Sequence, residues 1–101
     1  MYKYAKDITA DLAALSSGSL ELTNGQDPSG ASGYGFVPQA VLIVASADDT
    51  EEEKRIVGDS FANEESLDIR LICNRVHPIA FSRIDKTNTT TQTIIILGDA
   101  N

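Results

Sequence analysis

Beyond residue 18 this chain offers no place for a helical crossover. Its apolar residues come in short β-branched or alternating runs, each closed by turn residues. Parallel strands need a connection of about a dozen residues or more, usually a helix. Antiparallel pairing is what remains. The fold expected is mainly β: a small antiparallel β-sandwich or barrel with a short N-terminal helix.

The strongest strand signal is the unbroken apolar run Ala40-Val41-Leu42-Ile43-Val44-Ala45. Apolar residues at both parities require cover on both faces, which predicts a central strand. Other strands are predicted at 19–23, 54–57, 67–71, 78–84 and 91–97. The 54–57 strand is expected to break at Gly58-Asp59 and to resume near Phe61. In Leu67-Asp68-Ile69-Arg70-Leu71 the alternation is clean, with Leu67, Ile69 and Leu71 on one face. In 78–84 the apolar phase slips between Phe81 and Ile84, which predicts a bulge. Turns are expected at Asn24-Gly25, Asn74-Arg75 and 85–89, and a polar tail at 98–101. The core is expected to hold Leu42, Val44, Ile69, Leu71, Phe81 and Ile95.

Near the N-terminus, Tyr4, Ile8, Leu12 and Leu15 recur at helical spacing, with Asp7 placed to cap a helix and Gly18 to end it. A helix this short is marginal alone, so its stripe must pack on its own sheet or on a neighbouring subunit. Residues 24–37 form a glycine-rich loop. Phe36-Val37-Pro38 and a strand follow it, where a phosphate cradle would lead into a helix. Tyr34 and Phe36 then read either as contact anchors or as part of a linker. Tyr4, Ile8, Leu12, Leu15, Tyr34 and Phe36 are therefore the candidate protein-interface residues. The acidic stretch 46–53 reads as a solvated loop or a single helical turn, and its spacing does not match a calcium loop. Taken together, the 101 residues form one domain: a helical segment 1–18, a loop 24–37 and a β core 38–97.

Several function classes are disfavoured. A net charge of −7 opposes binding to phosphate backbones and to anionic membranes. Neither apolar run is long enough to span a bilayer, and residues 1–7 carry no apolar leader. With one histidine and one cysteine the chain cannot build a structural zinc site. His77 precedes Pro78 in a turn and reads as a strand-end residue, while Cys73 reads as a small buried hydrophobe. No catalytic residue, metal or cofactor is expected.

The segment Val76-His77-Pro78-Ile79-Ala80-Phe81-Ser82-Arg83-Ile84, then Thr87-Asn88-Thr89-Thr90-Thr91 and Ile94-Ile95-Ile96-Leu97, resembles the endings of small accessory virion proteins of tailed bacteriophages. Those chains close with a Pro-Ile-x-x-x-Arg-Ile strand, a Thr-rich turn and a β-branched strand. The upstream run from Pro38 to Val44 sits where they carry a similar apolar strand. The resemblance covers about a third of the chain. It departs from that pattern at Asn88, where glycine is usual, in the acidic stretch and in the glycine-rich loop. It implies a capsid decoration or cement protein of the phage head, made in the bacterial cytoplasm. Its partners would be the major capsid protein or another virion protein, and further copies of itself in a homo-oligomer such as a trimer. The other reading left open by the residues is a small acidic binding module or inhibitor acting by protein–protein contact.

Overall fold

The structure, a computed structural model, describes residues 2–22, 36–45, 53–60, 66–89 and 92–99. The predicted turn at Asn24-Gly25, Tyr34, Phe61 and the acidic stretch up to Glu52 lie outside them.

Among the described residues, the β-branched and alternating runs form two four-stranded sheets, with all pairings antiparallel. The elements are β1 (Tyr4–Asp7), α1 (Thr9–Ala13), β2 (Ser19–Glu21), β3 (Val37–Val44), β4 (Glu53–Ser60), β5 (Ser66–Ile72), β6 (Val76–His77), β7 (Phe81–Asp85) and β8 (Thr93–Asp99). One sheet has the order β1-β8-β3-β6 and the other β2-β7-β4-β5. The arrangement is a sandwich rather than a closed barrel. Ile43, Ile94 and Ile96 from the first sheet meet Ile56, Phe81 and Ile84 from the second in one core.

The N-terminal helix is shorter than its spacing predicts. Tyr4 to Asp7 form an edge strand against β8, and only Thr9–Ala13 are helical. Asp7 still organises the helix start: its Oδ1 accepts from the Thr9 amide at 2.9 Å and from the Thr9 hydroxyl at 2.6 Å. The helix ends before Gly18. Lys86 closes it from outside, its Nζ donating to the Ala13 carbonyl at 2.8 Å and to the Leu15 carbonyl. Gly18 lies beyond, at φ +86, a left-handed turn position.

Three strand boundaries also differ. β4 runs straight through Gly58-Asp59 to Ser60, because Gly58 is where β7 comes closest. A Cβ at Gly58 would overlap the Arg83 carbonyl oxygen, so only glycine lets the ladder continue. The strand predicted at 78–84 begins only at Phe81, as β7, and residues 78–80 carry the chain across from β6 in the other sheet. β8 extends through Gly98 and Asp99, which were expected in a tail. The expected bulge is present. Asp59 pairs with Arg83 but Ser60 pairs with Phe81, which leaves Ser82 as the extra residue. The slip lets Phe81 and Ile84 both face the core. The turn at Asn74 is also present, with Asn74 at φ 64.

Of the expected core, Leu71 and Phe81 are buried and Ile69 packs against the core from its rim. Leu42, Val44 and Ile95 are not in it. Their neighbours Val41, Ile43, Ile94 and Ile96 take the core positions, at 0–1% exposure. A strand that is apolar at both parities does not announce which face is inward.

Candidate functional site

The two outer faces of the sandwich differ in kind. On the β2-β7-β4-β5 sheet most outward residues are charged, with Val57 and the 42% exposed Ile72 among them, and several charges pair with one another. Arg55 grips Asp68 through Nε at 2.8 Å and Nη2 at 2.6 Å. Arg83 Nη2 lies 2.6 Å from Asp59, with its Nε 3.8 Å from Asp85. Ser19 Oγ donates to Asp85 at 2.6 Å, and Ser66 Oγ to Asp59 at 3.3 Å. Hydrogen bonds from Arg55 hold the Asp68 carboxyl below the usual carboxylate range and raise the guanidinium in turn. This is a face built for water.

The β1-β8-β3-β6 sheet has the opposite character. Because Val41 and Ile43 point inward, Leu42 and Val44 point out; because Ile94 and Ile96 point inward, Ile95 and Leu97 point out. The register joins them into rows. Val76, Leu42 and Ile95 stand abreast on β6, β3 and β8, with Asp7 beside them on β1. Ala40, Leu97 and Ala5 form the next row, with Ala40 itself covered at 1% exposure. Leu42, Val44, Ile95 and Leu97 are half-buried, and Val76 is 47% exposed. Asp7 is the one charged residue in these two rows, and it stands at the edge strand. This apolar sheet face is the candidate contact surface of the domain.

The six residues singled out from sequence are distributed differently. Ile8, Leu12 and Phe36 are in the core, at 0–6% exposure, and Leu15 packs against it. The apolar stripe thus finds its partner in its own sheets, the first of the two options that sequence left open. Those residues are not available to a neighbouring subunit. Tyr4 is 45% exposed and stacks on Phe36, with ring centroids 5.9 Å apart. By alternation it shares the parity of Gly98 and Ile96, not that of the outward rows. Tyr34 lies outside the described residues. The face itself was missed, although its signal was present: two runs, 40–45 and 94–97, are each apolar at both parities.

His77 sits on β6, where its Nε2 donates to the Ile72 carbonyl at 2.8 Å, a strand-end role. Cys73 is a buried thiol in no disulfide, at 8% exposure and packed as a small hydrophobe. Among the described residues no three of His, Cys, Asp and Glu gather as a metal site, and no helix is long and apolar enough to cross a membrane. Comparison with protein families, with curated proteins and with solved structures finds no match for this chain.

Proposed function

We propose that this protein is a non-enzymatic structural component that works by docking its apolar β1-β8-β3-β6 face onto another protein. In the setting implied by the resemblance of its C-terminal segment, that protein is a subunit of a tailed-phage head, and the chain is a decoration or cement protein. The observation that carries the reading is the outward row Val76-Leu42-Ile95, apolar across three adjacent strands of a sheet whose counterpart is covered in ion pairs. Flat apolar faces of this kind suit repeated contacts on a shell, where each copy contributes a modest interface. The paired charges of the opposite face would then point to solvent.

The test has two parts. Mass spectrometry of purified particles from the phage that carries the gene asks whether the chain is a virion component. Co-sedimentation of the purified chain with heads lacking it then compares the native chain with Leu42→Asp. The expected result is that the native chain binds and Leu42→Asp does not, while both fold. Absence from the particles overturns the virion setting. Undiminished binding by Leu42→Asp overturns the assignment of the face. A chain that is absent from particles but pairs through its acidic surface with a basic target is the inhibitor reading.

A further inference from the structure

The geometry points to a second contact surface, of another kind: the edge of β5 that no other described strand pairs with, which pairs antiparallel with β5 of a second copy about a two-fold axis at Ile69. This does not rest on the virion reading and concerns the chain by itself.

Among the described residues each sheet has two end strands, and three of the four are short. β1 has four residues, β2 three and β6 two. β5 has seven, pairs with β4 without a register shift, and contains neither proline nor glycine. Sheet edges are ordinarily blunted by brevity, proline or a bulge, because an open edge is a template for another strand. β5 has none of these devices. At its end the Ile72 carbonyl accepts from His77. Residues 66–71 remain a straight, unbulged edge.

The side chains say which strand fits. Read antiparallel against itself and centred on Ile69, the segment Leu67-Asp68-Ile69-Arg70-Leu71 is self-complementary. Leu67 stands opposite the partner's Leu71, Ile69 opposite the partner's Ile69, and Asp68 opposite the partner's Arg70. The same matches repeat across the axis, as an isologous two-fold contact requires. The parity is right as well. Leu67, Ile69 and Leu71 face the core side and would extend it across the junction, while Asp68 and Arg70 share the outer face. A shift of one residue would place charged residues opposite apolar ones and break the match.

The charges inside one chain favour the same partner. Arg70 stands directly opposite Arg55 across the β4–β5 ladder, a like-charge pair. Asp68 accepts two hydrogen bonds from Arg55, and a carboxylate has further lone pairs to offer. The partner's Arg70 would approach Asp68 from the open side. Each Asp68 would then sit between two guanidiniums, and the excess positive charge beside Arg55 would be met. The result is a continuous eight-stranded sheet whose apolar docking faces both lie on the same side of the dimer.

Analytical ultracentrifugation of the full chain across micromolar to millimolar concentration tests this. The expected result is a monomer–dimer equilibrium. Arg70→Asp should weaken it by about tenfold or more, since two cross-strand attractions become repulsions. The same change places an acid opposite Arg55, so the fold should persist, checked by its thermal midpoint. In a Cys73→Ala background, Ile69→Cys should give a covalent dimer on mild oxidation, because only pairing centred there brings the two positions together. Val76→Cys in that background should not. A chain that stays monomeric at millimolar concentration overturns the inference. So does a dimer or trimer that tolerates Arg70→Asp and is not trapped through position 69.

Discussion

Leu42 and Ile95 stand directly opposite each other on β3 and β8, and both point away from the core that their neighbours Val41, Ile43, Ile94 and Ile96 fill. The same two strands thus serve the interior with one parity and the exterior with the other. Fold and candidate function are carried by adjacent residues, and single substitutions separate them.

The first prediction follows from that separation. Ile43→Ala and Ile94→Ala remove fully buried side chains and should each cost about 2–5 kcal/mol. Leu42→Ala and Ile95→Ala act on half-buried positions and should cost about 1 kcal/mol, a fall in thermal midpoint of roughly 4–8 °C. Urea titration of the four variants checks this. Equal costs at the two parities would mean that the outer face is covered as completely as the inner one.

How much of this was legible in the sequence depended on whether a strand has a polar side. In Leu67-Asp68-Ile69-Arg70-Leu71 the charges mark the outer face, and alternation assigns the inner one correctly. The slip between Phe81 and Ile84 likewise announces a bulge, because both must reach the same core. In 40–45 and 94–97 both parities are apolar, so periodicity identifies the strands but not their faces. Partner register decides that, and register is long-range. Tyr4 and Ile8 have helical spacing, yet β8 needs an edge partner and draws Tyr4–Asp7 into the sheet. Pairing between residues some ninety positions apart overrides the local pattern.

Gly58 supplies the second prediction. Its missing side chain makes room for the Arg83 carbonyl on β7, a backbone atom that cannot rotate away. Gly58→Ala must push the two strands apart at a point where Ile56, Phe81 and Ile84 pack nearby, and should cost about 1–3 kcal/mol or more. Gly18→Ala meets open space, and its cost is that of the left-handed φ alone, about 1–2 kcal/mol. Backbone amide exchange distinguishes them. Gly58→Ala should lower protection along β4 and β7, whereas Gly18→Ala should act only locally. Unchanged protection in β7 would contradict the close approach.

Lys86 carries the third. α1 is too short to hold its last turn by its own hydrogen bonds, and the Lys86 ammonium bridges the carbonyls of Ala13 and Leu15 from β7's far end. Its backbone amide adds a bond to the Gly18 carbonyl at 2.9 Å. Lys86→Met keeps the aliphatic stem and removes the donors. It should destabilise the protein by about 1 kcal/mol and raise amide exchange in α1 while leaving β8 protected. Exchange in α1 that does not change would show that burial of Ile8 and Leu12 holds the helix by itself.

The last prediction concerns acid. Two carboxyls are held below their usual range: Asp7 by the hydroxyl and amide of Thr9, and Asp68 by the hydrogen bonds of Arg55. A carboxyl whose folded pKa is depressed binds fewer protons in the folded state, so its contribution is complete above the unfolded value of about 4. It is lost as pH falls through the lowered folded value. Stability from these two groups should therefore be level between about pH 5 and 7 and decline below about pH 4. Both groups are exposed, so the decline should be small and should shrink further in high salt. Asp7→Asn combined with Asp68→Asn should flatten this part of the acid limb. Carboxyl carbon shifts followed by NMR give the site values directly, at a concentration low enough to keep the chain monomeric. Midpoints for Asp7 and Asp68 at or above about 4 would contradict the hydrogen bonds that each carboxylate accepts.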